Sequence, residues 1–116
     1  MFVLFICLLA TNVQIKMEKQ TVDKMDPKKI LVAPSLLAAN FANLESELKR
    51  IEDAGADLLH LDIMDGHFVP NLTMGPPVIS AIRKICKLPF DVHLMLTDPL
   101  KYVEPFSKAG ADLIIG

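Results

Sequence analysis

At 116 residues the chain has the length of one ordinary domain, and its 52% apolar and 22% charged composition marks a folding sequence rather than a disordered one. A net charge of -2, with Lys and Arg scattered, leaves no basic footprint and excludes nucleic acid as an expected partner. Two cysteines, Cys7 and Cys86, make neither a disulfide framework nor a zinc cluster, and Cys86 reads as a buried, inert thiol among apolar neighbours.

Residues 1–29 differ in character from the rest of the chain and read as an N-terminal extension to a domain over residues 30–116. Residues 2–10 form a nine-residue apolar run, well short of the roughly 20 residues that span a bilayer. The run has the length of a signal-peptide core, yet no Lys or Arg precedes it and a small-x-small cleavage site is hard to find. The alternative is a working chain that begins at Met17 or Met25, since Lys28 and Lys29 lead straight into the first strand. A lone cysteine in the domain suits a reducing compartment, so the expectation is a cytoplasmic protein with no membrane partner.

Residues 30–35 are a short apolar run of the fully buried kind, interrupted by Pro34, and they place Ser35 at a strand end where its hydroxyl can reach a ligand or serve a turn. Residues 41–54 predict a helix: Phe41, Leu44, Leu48 and Ile51 recur on one face. Asn40 is positioned to cap it, Glu45 and Lys49 to pair, and Gly55 to end it.

The next strand alternates Leu59, Leu61 and Ile63 with His60, Asp62 and Met64, which therefore share a face. A water-facing stripe would favour Lys, Thr or Glu, whereas this one offers an imidazole, a carboxylate and a thioether. An eleven-residue loop through Gly75 comes next, holding His67 as a solvated or loop-anchoring residue. Pro76 and Pro77 open a second helix to about Lys87, with Val78, Ile82 and Ile85 inward. A third strand then carries Asp91, His93 and Met95 on one parity. Asp98 and Pro99 open a third helix to about Lys108, in which Pro105 predicts a kink.

The pentapeptide AGADL occurs at residues 54–58 and again at 109–113, a period of 55 residues that spans two strand–helix units. Strands alternating with helices predict an α/β fold with a parallel sheet and right-handed crossovers. The internal period favours a (β/α)₈ TIM barrel over a doubly wound sheet, and no Gly-x-Gly-x-x-Gly comes after the first strand. Such a barrel has about 250 residues, so about the first four β/α units are expected here, an incomplete barrel with its first and fourth strands open-edged. A half barrel of this kind is either a catalytically incompetent fragment or a module that pairs with another half.

If the second and third strands are neighbours about 4.8 Å apart, His60, Asp62 and His93 converge. Two imidazoles and a carboxylate suit a divalent first-row ion such as Zn²⁺; the alternative is a pair of hydrogen-bonded core histidines. Met64 and Met95 are ordinary core residues in many sheets, and here they would wall the ion.

The segment HLDIMDGHFVPNLTMG (residues 60–75) resembles the signature of the ribulose-phosphate 3-epimerase family, and APSLLAANF (33–41) and DVHLML (91–96) resemble its first and third strands. The resemblance implies interconversion of D-ribulose 5-phosphate and D-xylulose 5-phosphate, a sugar phosphate as the partner, and a homo-oligomeric full-length protein. It implies His60, Asp62 and His93 as ligands of one divalent metal (Zn, Fe, Mn or Co), Asp62 also as proton acceptor, and Ser35 and His93 as substrate contacts. The opposing aspartate and the phosphate grip come from later strands in that family. Epimerisation of another ketose phosphate is an alternative with the same chemistry.

Overall fold

Alternating burial along two six-residue strands sets the architecture. The computed structural model describes residues 14–16 and 25–116. In β2 (Leu59–Met64) and β3 (Phe90–Met95), Leu59, Leu61, Ile63, Phe90, Val92 and Leu94 are buried on one face. That face packs with Leu48 and Ile51 of α1 (Leu44–Asp53), Ile79 and Ile82 of α2 (Pro76–Arg83) and Phe106 of α3 (Leu100–Ala109). Each large apolar side chain sealed there contributes roughly 1.5–3 kcal/mol of transfer free energy.

The strands β2 and β3 run parallel, and β4 (Leu113–Ile115) joins β3 in parallel, which makes a three-stranded parallel sheet covered by helices, an incomplete α/β barrel. A short β1 (Gln14–Lys16) lies antiparallel on the outer side of β4, giving the order β1-β4-β3-β2. The expected bare edge of the fourth strand is therefore covered. The apolar run at residues 2–10, Cys7 and the start at Met17 lie outside the described residues.

Several elements depart from the sequence expectation. Residues 30–35 are not a regular strand: they lie beside β2 through a single bridge, Ser35 to His60, and through Val32 and Pro34 carbonyls that accept from Asp57, Leu58 and His60 amides. Among the described residues the run is paired on one side only and is not fully buried, with Ile30 and Val32 exposed. The helix expected from Phe41 begins instead with 3₁₀ turns at Leu36–Ala38 and Phe41–Asn43. Asn40 caps the second of these by accepting from the Ala42 amide, and Phe41 is turned outward. Lys49 pairs with Asp53 rather than Glu45. The second helix stops at Arg83, leaving Ile85 exposed; Ile82 is buried and Val78 packs half-buried against the core as expected, and Ile79 joins them. Asp98 makes no capping bond, because the third helix starts one residue later than expected, with Pro99 at its N-cap.

The repeated pentapeptide has one physical role in both places. Gly55 and Gly110 adopt φ of +82° and +125°, where a side chain is strained, and a Cβ on Gly110 would come within 2.5 Å of the Arg83 side chain. Asp57 then hooks onto Val32: its amide donates to the Val32 carbonyl and its carboxylate accepts from the Val32 amide, both at 2.9 Å. Asp112 does the same to Phe90, at 2.9 and 2.8 Å. A cation flanks each hook, Lys29 at 3.5 Å from Asp57 and Arg83 at 3.1 Å from Asp112. Arg83 also stacks over the Phe90 ring at 3.7 Å and donates to the carbonyls of Cys86 and Leu88. Burial pushes the Cys86 thiol up to about 11, so it serves packing rather than nucleophilic chemistry.

The buried Asp112 hook and the exposed cation that flanks the Asp57 hook carry different energies. Asp112→Ala strands the buried Phe90 amide and is expected to cost about 1–3 kcal/mol in urea unfolding. Lys29→Ala removes only an exposed pair and is expected to cost less than about 1 kcal/mol. Equal losses from the two changes would contradict this assignment.

Candidate metal and active site

The register of β2 on β3 builds the site as three cross-strand rungs on the face opposite the helices: His60 beside Asp91, Asp62 beside His93, and Met64 beside Met95. In the first rung, His60 Nδ1 lies 2.8 Å from a carboxylate oxygen of the buried Asp91. The other ring nitrogen, Nε2, lies 3.1 Å from Asp62 Oδ1, and His93 Nδ1 approaches that same oxygen at 3.6 Å. The two imidazole rings are tilted with centroids 5.9 Å apart. One ligand atom from each of His60, Asp62 and His93 falls within 4.8 Å of the others.

Ser35, carried in by its bridge to His60, donates from its hydroxyl to Asp62 Oδ2 at 2.5 Å. The same hydroxyl oxygen accepts from the Leu37 amide, so the side chain has a fixed orientation. Thr73 returns from the loop to the strand: its hydroxyl donates to the Asp62 carbonyl at 2.7 Å and accepts from the Met64 amide at 3.0 Å. Asp62 is thus held through both its side chain and its backbone.

Burial disfavours charge on both central groups, and the contacts outweigh it. Burial opposes a proton on His60, but hydrogen bonds to Asp62 and Asp91 push its pKa up to about 9. Burial likewise opposes ionisation of Asp62, yet His60, His93 and Ser35 together hold its carboxyl well below the usual range. The cluster is a negatively biased cage around an imidazole, and a divalent cation can take the place of the proton.

The donor set fits such an ion. An Asp91 carboxylate on Nδ1 selects the tautomer whose Nε2 lone pair faces Asp62, the arrangement common to metal-bound histidines. Nitrogen, nitrogen and oxygen donors suit first-row divalent ions. The second oxygen of Asp91 is buried without a hydrogen-bond partner, which adds to the negative bias at this end of the cage.

All six residues singled out from the sequence share this site, with Met64 and Met95 half-buried on the last rung. His67 does not join it: the ring is exposed and bonds back to the Asp65 carbonyl at 3.1 Å. Sequence reasoning assigned no role to Asp91, Asp65 or Thr73. Asp91 was detectable as a carboxylate on the His93 parity; Thr73 carried no signal, because its partners are backbone atoms nine and eleven residues away.

Comparison with known proteins bears on the same residues. The model of the Ribulose-phosphate 3 epimerase family matches residues 31–115. The chain belongs to the ribulose-phosphate 3-epimerase family. It is 56% identical over 87 residues to the Ribulose-phosphate 3-epimerase of Synechocystis, covering 75% of this chain and 38% of that one. Against the Bacillus subtilis Ribulose-phosphate 3-epimerase it is 54% identical over 85 residues, 73% of this chain and 39% of the relative. Against the cytoplasmic isoform from Oryza sativa it is 60% identical over 80 residues, 69% of this chain and 35% of the relative. The chain therefore spans well under half the length of each of these epimerases, and the residues matched by the family model contain every rung of the site.

Proton and cation compete for the same cage, which fixes the sign of the pH dependence. Below about pH 9 His60 carries a proton that an incoming ion must release. Cobalt titrations of the chain followed by visible absorption are therefore expected to give tighter binding at pH 8 than at pH 6.5. Affinity that is flat or falls over that interval would contradict the cage.

Proposed function

We propose that this chain carries the proton-accepting half of a metal-assisted sugar-phosphate epimerase site, acting at C3 of D-ribulose 5-phosphate to give D-xylulose 5-phosphate. The observation that carries the reading is the convergence of His60, Asp62 and His93 within 4.8 Å, in a chain whose family is named for that reaction. Asp62 is the proposed base. Its carboxylate is ionised through the neutral range, and the Ser35 hydroxyl on Oδ2 steadies it without protonating it. A positioned base of this kind supplies a factor on the order of 10²–10⁴ in rate.

His60, Asp62 and His93 would hold the ion, with Asp91 orienting His60 from behind. A bound divalent ion contributes Lewis-acid stabilisation of the negative charge that develops as the proton beside the ketone is lost. Met64 and Met95 supply an apolar, polarisable wall that excludes water from the carbanion-like carbon. Ser35 and His93 are the proposed substrate contacts. Inversion needs a second acid on the opposite face of the sugar, and a later strand of the whole protein is its proposed source.

The proposed setting is the cytoplasm, with a homo-oligomeric whole protein; among the described residues no helix is long and apolar enough to cross a membrane. The half-barrel alternative, a pairing module without turnover of its own, predicts a discrete dimer by light scattering.

In the whole protein that contains this segment, Asp62→Asn is expected to lower turnover of ribulose 5-phosphate at least a hundredfold while metal content falls. Exchange of the C3 proton into D₂O, read by NMR, is expected to fall with it. Near-normal exchange in the variant would remove Asp62 from the role of base.

A further inference from the structure

The two imidazoles of the cage are not held in the same way. His60 is gripped by two carboxylates, at 2.8 and 3.1 Å. Among the described residues His93 has one polar side-chain contact, its 3.6 Å approach to Asp62, besides the tilted ring of His60, and its side chain is 37% exposed. Its position therefore depends on where the β3 backbone is set against β2. The ladder between those strands ends at the Met64–Met95 rung.

Immediately beyond that rung, the Asp65 carboxylate continues the pairing with a side chain. Asp65 Oδ2 accepts from the Thr97 amide at 2.9 Å and from the Thr97 hydroxyl at 3.1 Å. Its other oxygen accepts from the His67 and Phe68 amides, each at 2.9 Å. Gly66, at φ of +76°, makes the turn that lets both amides reach it, and a bridge from Asp65 to Leu72 starts the return of the loop toward Thr73. One carboxylate thus joins the end of β2, the loop after it and the end of β3 at four donors.

We propose that Asp65 is a positioning residue for the site: it locks the ends of β2 and β3 together and so fixes the distance of His93 from His60 and Asp62. The inference rests on the metal-centre reading above. It concerns a residue that touches neither ligand histidine, and its partners lie on the loops rather than in the core.

The test compares the chain with its Asp65→Ala and Asp65→Asn variants by two readouts, amide hydrogen exchange and Co²⁺ binding followed by visible absorption. In Asp65→Ala, exchange at the His67, Phe68 and Thr97 amides is expected to rise at least tenfold. Co²⁺ affinity is expected to fall on the order of tenfold, with a changed ligand-field spectrum. Asp65→Asn keeps one oxygen acceptor and is expected to fall between the two; it carries the test if the alanine variant does not fold. Asp53→Ala, on the exposed face of α1, is expected to change neither readout. Unchanged exchange at the three amides would overturn the clamp. Raised exchange with wild-type Co²⁺ affinity and spectrum would overturn the positioning role. Absence of any Co²⁺ spectrum in the unmodified chain would overturn the metal centre and the positioning role with it, whatever the exchange data show about the loop.

Discussion

The parallel register of β2 on β3 is the constraint on which the rest depends. Because side chains alternate, a slip of one residue would turn a strand's inward set to the opposite face. The observed register seats Asp62 beside His93 and His60 beside Asp91, so one alignment creates both the candidate ligand cluster and the carboxylate that orients it. Apolar residues on the other parity enforce that alignment, since Leu59, Leu61, Phe90 and Val92 are fully buried only when this face meets the helices. Hydrophobic burial thus specifies the geometry of a charged site that would be costly to assemble alone.

The two ends of the strands divide the work. At the N-terminal ends, Asp57 and Asp112 hook each strand to its neighbour through backbone atoms, with Lys29 and Arg83 balancing their charge. These contacts secure the fold and touch none of the site residues. At the C-terminal ends, Asp65 and Thr73 tie the loop to the strands that bear the chemistry. Fold maintenance and site geometry consequently rest on different aspartates, which is the separation expected of a barrel enzyme.

Much of this was legible from residue order. Period-two alternation placed His60, Asp62, Met64, His93 and Met95 on one face, and parallel pairing brought them together without any adjustment. The repeated pentapeptide announced a repeated structural unit, although its meaning, an aspartate hook on a neighbouring backbone, required coordinates. What was not legible shares a cause: backbone partners. The Thr73 bonds, the Asp65 clamp and the weak pairing of residues 30–35 join side chains or carbonyls to main-chain groups that carry no sequence identity. Phe41 misled for a different reason. The helical period extended correctly back from Ile51, but 3₁₀ turns intervene before Leu44 and rotate Phe41 off the apolar stripe.

The central claim is that one cation is shared by three side chains of two adjacent strands. The most direct measurement is a crystal structure of the Zn²⁺-loaded chain with anomalous diffraction recorded across the zinc edge. The account predicts a single anomalous peak with His60 Nε2, a His93 ring nitrogen and an Asp62 carboxylate oxygen at about 2.0–2.2 Å from it. A peak elsewhere on the molecule, with His60 and His93 turned away from Asp62, would contradict it.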